Sequence, residues 1–160
     1  MAEVNAMPYG RNSDRGNYNL LGIEKRGTCS SKHAFLKSKA EEMGLDEVEL
    51  ILCIFKMNVL NTPTLSKILK EHNLAYIPEA HCFLRIDSDN YDLTFPGSNS
   101  LKIEKDILIS QNIEPHQIGN YKEKWHRGYL ESWLRLQKMN MSLEDLWEIR
   151  ESCIQQLSIA

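Results

Sequence analysis

Apolar positions change their spacing several times along the chain, and each change marks an element. Cys29, His33, Leu36, Ala40 and Met43 recur at helical intervals, which places them on one face of a helix with Lys32, Lys37, Lys39 and Glu41 on its other sides. Thr28 or Ser30 can cap its start, and Gly44 stands just past its end, so the pattern predicts a helix over 28–43. Val48 to Met57 is a dense apolar run rich in β-branched residues, which predicts a buried strand. Thr62 to Glu71 reads as a short helix, with Thr62 as N-cap, Pro63 at the first helical position and Leu65, Ile68 and Leu69 on the apolar side. Ala80 to Ile86 predicts a strand. Tyr91 to Phe95 predicts its returning partner, after the turn residues Asp87 to Asn90 and before Pro96-Gly97.

Residues 98–113 hold no steady period, although Ile107 to Ile109 suggests another strand. Ile118, Trp125, Tyr129, Trp133 and Leu136 predict a long helix over 115–138. Ser142-Leu143-Glu144-Asp145 resembles a capping box opening a last helix to about Leu157. Residues 1–27, rich in Asn, Gly, Arg and Ser, predict an irregular lead-in segment. The fold class is therefore α+β: a helix bearing a Cys at its N-terminus, packed on a small antiparallel sheet, with two C-terminal helices. A single domain over 1–160 is expected, divided into the lead-in (1–27), a site-bearing core (28–97) and a C-terminal helical pair (115–157).

Composition narrows the function classes. With 160 residues, 42% apolar and 26% charged, the chain can bury a core without disulfides. Its net charge of −3 supplies no basic surplus for phosphate, so no nucleic-acid partner is expected. No apolar run reaches membrane-spanning length, and Met1 to Asp14 lacks the apolar core of a signal peptide. The expectation is a cytoplasmic protein with no membrane partner. Cys29, Cys53, Cys82 and Cys153 are too scattered for a disulfide framework and read as free thiols.

Cys29 stands apart from the other three. It follows Gly27 at the first turn of an amphipathic helix, where the positive end of the helix dipole favours a thiolate and free N–H groups can receive an oxyanion. Simple packing is the competing reading. A nucleophilic thiol needs a base, and the base needs an orienting partner. His72 and His116 lie in polar surroundings, and His126 beside Trp125 reads as a surface or helix-packing residue. His33, one turn after Cys29, reads as a buried support behind the site. His81 opens a strand, and a two-residue turn at Asp87-Ser88 would set Asp92 opposite Phe83, two residues from His81 and on its side of the sheet. Asp87 would be roughly 20 Å along the strand, beyond reach. Cys53, Cys82 and Cys153 read as packing residues, the aromatic residues of the last two helices as cover for the sheet, and Lys102 to Asp106 as a solvated segment.

Three pieces together resemble the transglutaminase-like (papain-like) cysteine enzyme superfamily: Gly27-Thr28-Cys29 with its helix, His81-Cys82-Phe83-Leu84-Arg85-Ile86, and Tyr91-Asp92-Leu93-Thr94. Arg26-Gly27-Thr28-Cys29 is also similar to the Arg-Gly-Gly-x-Cys start of arylamine N-acetyltransferases, which share that fold. The resemblance covers residues 20–97 and leaves the C-terminal helices outside. It departs from the usual pattern in a short His-to-Asp spacing, in Phe83 where Trp is usual, and in Ser30 after the cysteine. It implies a hydrolase or acyltransferase acting through a thioester on an amide or related acyl substrate (protein, peptide or small molecule), without a cofactor. Cys29 would be the nucleophile, His81 the general base and acid, and Asp92 its orienting partner. The Cys29 N–H would receive the oxyanion, together with an upstream side chain. Of Asn12, Asn17, Tyr18 and Asn19, Asn12 is selected for its polar, turn-prone surroundings. Two other readings remain: a non-catalytic protein-interaction domain of the same fold, and a zinc site from Cys29, His33, His81 and Cys82. Against the zinc site, adjacent strand residues point to opposite faces.

Overall fold

The computed structural model describes residues 1–159. Along the chain come α1 (Ala2–Ala6), α2 (Leu20–Glu24), α3 (Cys29–Glu42), β1 (Val48–Asn58), α4 (Ser66–Glu71), β2 (Tyr76–Ile86), β3 (Asp89–Tyr91), β4 (Ile107–Asn112), α5 (Asn120–Leu136) and α6 (Leu143–Ile159). The strands form one antiparallel sheet in the order β3-β2-β1-β4. The central place of β1 accounts for its unbroken apolar run, because both of its faces are buried. Ile51, Cys53, Phe55 and Met57 pack with Leu69 of α4, Trp133 and Leu134 of α5 and Leu146 and Cys153 of α6. Leu50, Leu52 and Ile54 pack the other way, against Ala34 and Ala40 of α3 and against Ile113 and Ile118. This is the expected α+β architecture, with the Cys29 helix on one face, α6 on the other, and α5 packing into both clusters.

The lead-in is more ordered than its composition suggests. Val4 anchors α1 and the fully buried Leu21 anchors α2. Tyr9 bridges to Gly27 in parallel, with Gly10 N–H on Gly27 O and Gly27 N–H on Pro8 O, each at 3.2 Å. Strand β2 begins at Tyr76, earlier than the predicted Ala80, and it includes Pro78. The Pro78 carbonyl faces away from β1 and accepts from His126 Nε2 at 2.8 Å. The missing N–H therefore lies on the outer edge, where β3 covers only Leu84 to Ile86 and no ladder bond is lost.

The hairpin turn has the predicted length. Asp87 and Ser88 take positive φ values of 49° and 77°, the backbone of a two-residue primed turn. The ladder then runs Ile86–Asp89, Arg85–Asn90 and Leu84–Tyr91. The returning strand is shorter than the expected Tyr91–Phe95, since the chain leaves the sheet at Asp92. In α3 the predicted apolar face needs correcting. Met43 is 73% exposed, whereas Lys32 is completely buried. The first half of the helix, Cys29 to Ala34, is buried on every side, because the lead-in and the chain after β3 wrap around it.

A buried ion pair ties α6 to β2. Arg150 donates from Nε to Glu79 Oε2 at 2.7 Å and from Nη2 to Glu79 Oε1 at 2.5 Å. Burial would raise the Glu79 pKa, but Arg150 and then His126 outweigh it and hold the carboxyl down at about 2. Glu79→Gln leaves the buried Arg150 with only the more exposed Glu151 as counter-charge and should cost roughly 3 kcal/mol in urea unfolding at pH 7. Because the folded pKa lies below the usual value, the pair's contribution is complete above pH 4.5 and is lost as pH falls towards 2. The gap between wild type and variant should therefore narrow in acid. Equal stability at pH 7 would show that the pair is not a structural tie.

Candidate active site

The backbone at Gly27 fixes the position of Cys29. A Cβ on Gly27 would collide with the side chains of Leu21 and Ser31 and crowd Lys32, so only glycine lets the lead-in strand pass this close to α3. Thr28 is extended, and its N–H donates to Ser31 Oγ at 3.0 Å. The helix then starts at Cys29, with the thiol at its positive end.

His81 comes from the outer edge of β2 and Asp92 from the residue after β3. His81 Nε2 lies 2.9 Å from Asp92 Oδ2, and Cys29 stands on the same cavity as His81, near enough for each to shift the other's pKa. Since Nε2 is occupied by Asp92, the nitrogen left for the thiol is Nδ1. Phe55 meets the His81 ring edge-on, at 5.9 Å between centroids. Thr94 holds the other oxygen of Asp92 through both its N–H (3.0 Å) and its hydroxyl (2.5 Å). The three residues singled out in the sequence are thus brought together in the order sulfur, imidazole, carboxylate.

His33 supports this line from behind. Leu93 N–H donates to His33 Nε2 at 2.9 Å, so the ring proton sits on Nδ1, which donates to the Cys29 carbonyl at 2.7 Å. Burial first, and the His81 charge with it, push the His33 pKa down to about 4 against the pull of Asp92. The ring stays neutral and ties the turn that carries Cys29 to the backbone beside Asp92. Next to it, Lys32 Nζ donates to the carbonyls of Met7 (2.6 Å), Leu93 (3.3 Å) and Thr94 (2.9 Å).

The electrostatics favour an ionised pair. Burial would raise the Cys29 pKa, but Lys122 and His81, with a smaller contribution from the Cys82 backbone, outweigh it and bring the thiol to about 6. His81 moves the other way. Burial would lower its pKa, but Asp92 and Cys29 raise it well above the usual value. At neutral pH the stable form is thiolate and imidazolium. Lys122, in the first turn of α5, is the residue that sequence reasoning missed. Its Nζ lies 3.9 Å from Cys29 Sγ and 2.5 Å from Ser30 Oγ. It stands 93 residues from Cys29 and carries no local signal.

Asn12 does not take the expected position. Its amide nitrogen donates to Arg26 O at 2.9 Å and to Glu24 Oε2 at 3.1 Å, which uses both hydrogens to fold the lead-in. Lys122 is the side-chain donor beside the sulfur instead. The Cys29–His33 spacing that suggested a zinc half-site has a backbone role, since both His33 nitrogens are engaged by the main chain. Among the described residues no group of three or more His, Cys, Asp or Glu is placed to hold a metal ion.

Two cavities open onto Cys29. One, of about 470 Å³, is lined by Arg11, Arg15, Ser30, His116, Lys122 and Arg150 among others. The second, of about 450 Å³, is lined by His81, Asp92, Phe55, Met57, Phe95 and Ile103 among others. Comparisons with models of known protein families, with curated proteins and with solved structures give no match to this chain.

All four cysteines are free and buried. Burial raises Cys53 to about 12 and Cys153 to about 11, and raises Cys82 as well. Iodoacetamide at pH 6.5 should therefore alkylate Cys29 first, its rate rising with pH through about 6, as read by peptide mapping. Lys122→Gln removes the nearest opposite charge and should move that midpoint up by about one pH unit. Equal labelling of all four thiols would remove the activated nucleophile.

Proposed function

We propose that the chain is a transglutaminase-like cysteine hydrolase or acyltransferase. The observation that carries this reading is the line from Cys29, at the N-terminus of α3, through His81 to Asp92, with the His81–Asp92 contact at 2.9 Å. The resemblance of Gly27-Thr28-Cys29, the His81 strand and Asp92-Leu93-Thr94 to that superfamily supports it. A thiolate nucleophile suits a reducing compartment such as the cytoplasm, and no helix among the described residues is long and apolar enough to cross a membrane.

The chemistry follows from the charges. The Cys29 thiolate attacks the carbonyl carbon of an amide or related acyl compound, forming a C–S bond. The carbonyl electron pair moves onto oxygen, where the Cys29 N–H and Lys122 can receive it. His81 gives its Nδ1 proton to the leaving nitrogen as the C–N bond breaks, leaving a thioester on Cys29. Water or an amine then gives a proton to His81 and attacks the thioester. The C–S bond breaks and the thiolate returns. Asp92 keeps Nε2–H hydrogen-bonded throughout, so the working nitrogen always faces the sulfur.

With an activated ester such as p-nitrophenyl acetate, the protein should show a burst of nitrophenolate and an acetyl adduct on Cys29. Cys29→Ala should abolish both. His81→Ala should slow acylation by about a hundredfold or more, and Asp92→Asn by a smaller factor. The acylation rate should rise with pH through about 6 as Cys29 ionises, and fall again once His81 loses its proton at a pH well above its ordinary value. Absence of any Cys29 adduct from esters, thioesters and amides would leave the fold without this activity.

A further inference from the structure

Lys122 is an amine as well as a charge. Its Nζ lies 3.9 Å from Cys29 Sγ and is held there by Ser30 Oγ, to which it donates at 2.5 Å. Cys29, Ser30 and Lys122 all line the first cavity, and no other lysine among the described residues does. A thioester on Cys29 places an electrophilic carbonyl carbon one bond from that sulfur. The carbon can therefore come within the roughly 3–3.5 Å of Nζ that a near-attack geometry requires. The other buried lysine, Lys32, has its Nζ taken up by the carbonyls of Met7, Leu93 and Thr94.

Acylation also changes the state of the nitrogen. Burial favours the neutral amine at Lys122, and Arg150 sides with burial. The Cys29 charge opposes them most, ahead of Cys82 and Glu79. A thioester carries no charge, and Glu79 is already paired with Arg150. The nucleophilic form of Lys122 is thus favoured while the acyl group is in place. His81 has by then given its proton to the leaving group and is free to accept another.

Resting on the reading that Cys29 is acylated, we propose that Lys122 is a self-acylation site, which takes the acyl group from Cys29 when no external acceptor reaches the thioester. The Nζ lone pair forms an N–C bond to the carbonyl carbon, the C–S bond breaks, and the sulfur leaves as thiolate. The proton shed by the nitrogen passes to His81. The products are an amide on Lys122 and a free Cys29, and the greater stability of an amide over a thioester makes the transfer one-way. Acyl-Lys122 has lost the charge that lowers the Cys29 pKa, so each transfer leaves a less reactive thiol. The site carries its own brake against idle acylation.

The test acetylates the intact protein with p-nitrophenyl acetate, removes the reagent, and follows the acetyl group by peptide mapping in the absence of added amine. Neutral hydroxylamine cleaves a thioester and leaves an amide intact. The acetyl group should leave Cys29 and appear on Lys122 in hydroxylamine-resistant form. Its level there should exceed that on the exposed Lys124 by about a hundredfold or more, a small part of the advantage of an aligned intramolecular step. Cys29→Ala should bring Lys122 down to the Lys124 level, and so should blocking Cys29 of the wild type with iodoacetamide beforehand. Lys122→Arg, which keeps the charge, should lengthen the life of the Cys29 thioester. Acetylation of Lys122 that survives loss or blocking of Cys29 would mark direct attack by the reagent and overturn the transfer. A Cys29 thioester that hydrolyses with Lys122 unmodified, or passes its acyl group to Ser30, would overturn the transfer while leaving the nucleophile in place. Failure of every ester to acylate Cys29 would overturn both.

Discussion

A single buried ammonium holds the site-bearing half of the molecule together. Lys32 lies in the second turn of α3, fully removed from solvent, with its Nζ shared among the carbonyls of Met7, Leu93 and Thr94. Those carbonyls belong to the lead-in segment and to the chain after β3, two pieces that share no sheet hydrogen bond. Burying an ammonium is costly unless its donors are satisfied. The three carbonyls satisfy its donors, and the nearby Asp92 charge offsets part of the burial that lowers its pKa. His33 acts beside it, so that consecutive residues of the helix grip consecutive residues of the loop. Leu93 and Thr94 are placed by this grip, Thr94 places Asp92, Asp92 places His81, and His81 turns its free nitrogen to Cys29. A satisfied polar network in a low-dielectric interior is stiff because each broken bond leaves an uncompensated group. That stiffness holds the imidazole in one place beside the thiol.

The same economy governs the charges. The shifts favour anionic Cys29 and Asp92 and cationic His81 and Lys122, so the charges of the cluster balance although each member is shielded from water. Glu79, which lines both cavities, and Arg150 form a second neutral pair. They join α6 to the strand that bears His81, two residues away on the same face of β2. The C-terminal helices are therefore more than cover. The first turn of α5 supplies Lys122, and α6 supplies Arg150, the charge that holds the buried Glu79 ionised.

Much of this was legible in the sequence, and the exceptions have physical reasons. The unbroken apolar run of β1 gave away a strand buried on both faces. The two-residue turn and strand parity placed Asp92 on the side of His81, because register is counted in residues and needs no tertiary information. Lys32 was assigned to the solvent side because periodicity treats every lysine as polar surface, whereas three distant carbonyls change its environment. Lys122 was invisible for a similar reason: its partner is 93 residues away and the spacing within α5 says nothing about it. Asn12 was chosen for local polarity, yet that polarity serves its own segment through Glu24 and Arg26. The early part of β2 was missed because Pro78 reads as a break, and proline is tolerated there only because the outer edge is open.

That open edge is the condition for the site. Had β3 continued to Phe95, as the alternation of Tyr91 to Phe95 suggested, its backbone would have paired with β2 through His81 and beyond. The Cys82 N–H, which helps to lower the Cys29 pKa, would then have been exposed to a competing carbonyl, and the space beside His81 would have been filled by a strand. Instead the ladder ends at Leu84–Tyr91, and Asp92 accepts from Thr94 in a local turn that competes with the next ladder pair. One residue past the last rung, the carboxylate is still in register with the His81 face, and the backbone has already turned away. The short third strand thus does two jobs with one break: it delivers Asp92 to the imidazole, and it leaves a strand edge bare for a helix N-terminus to bring its thiol against.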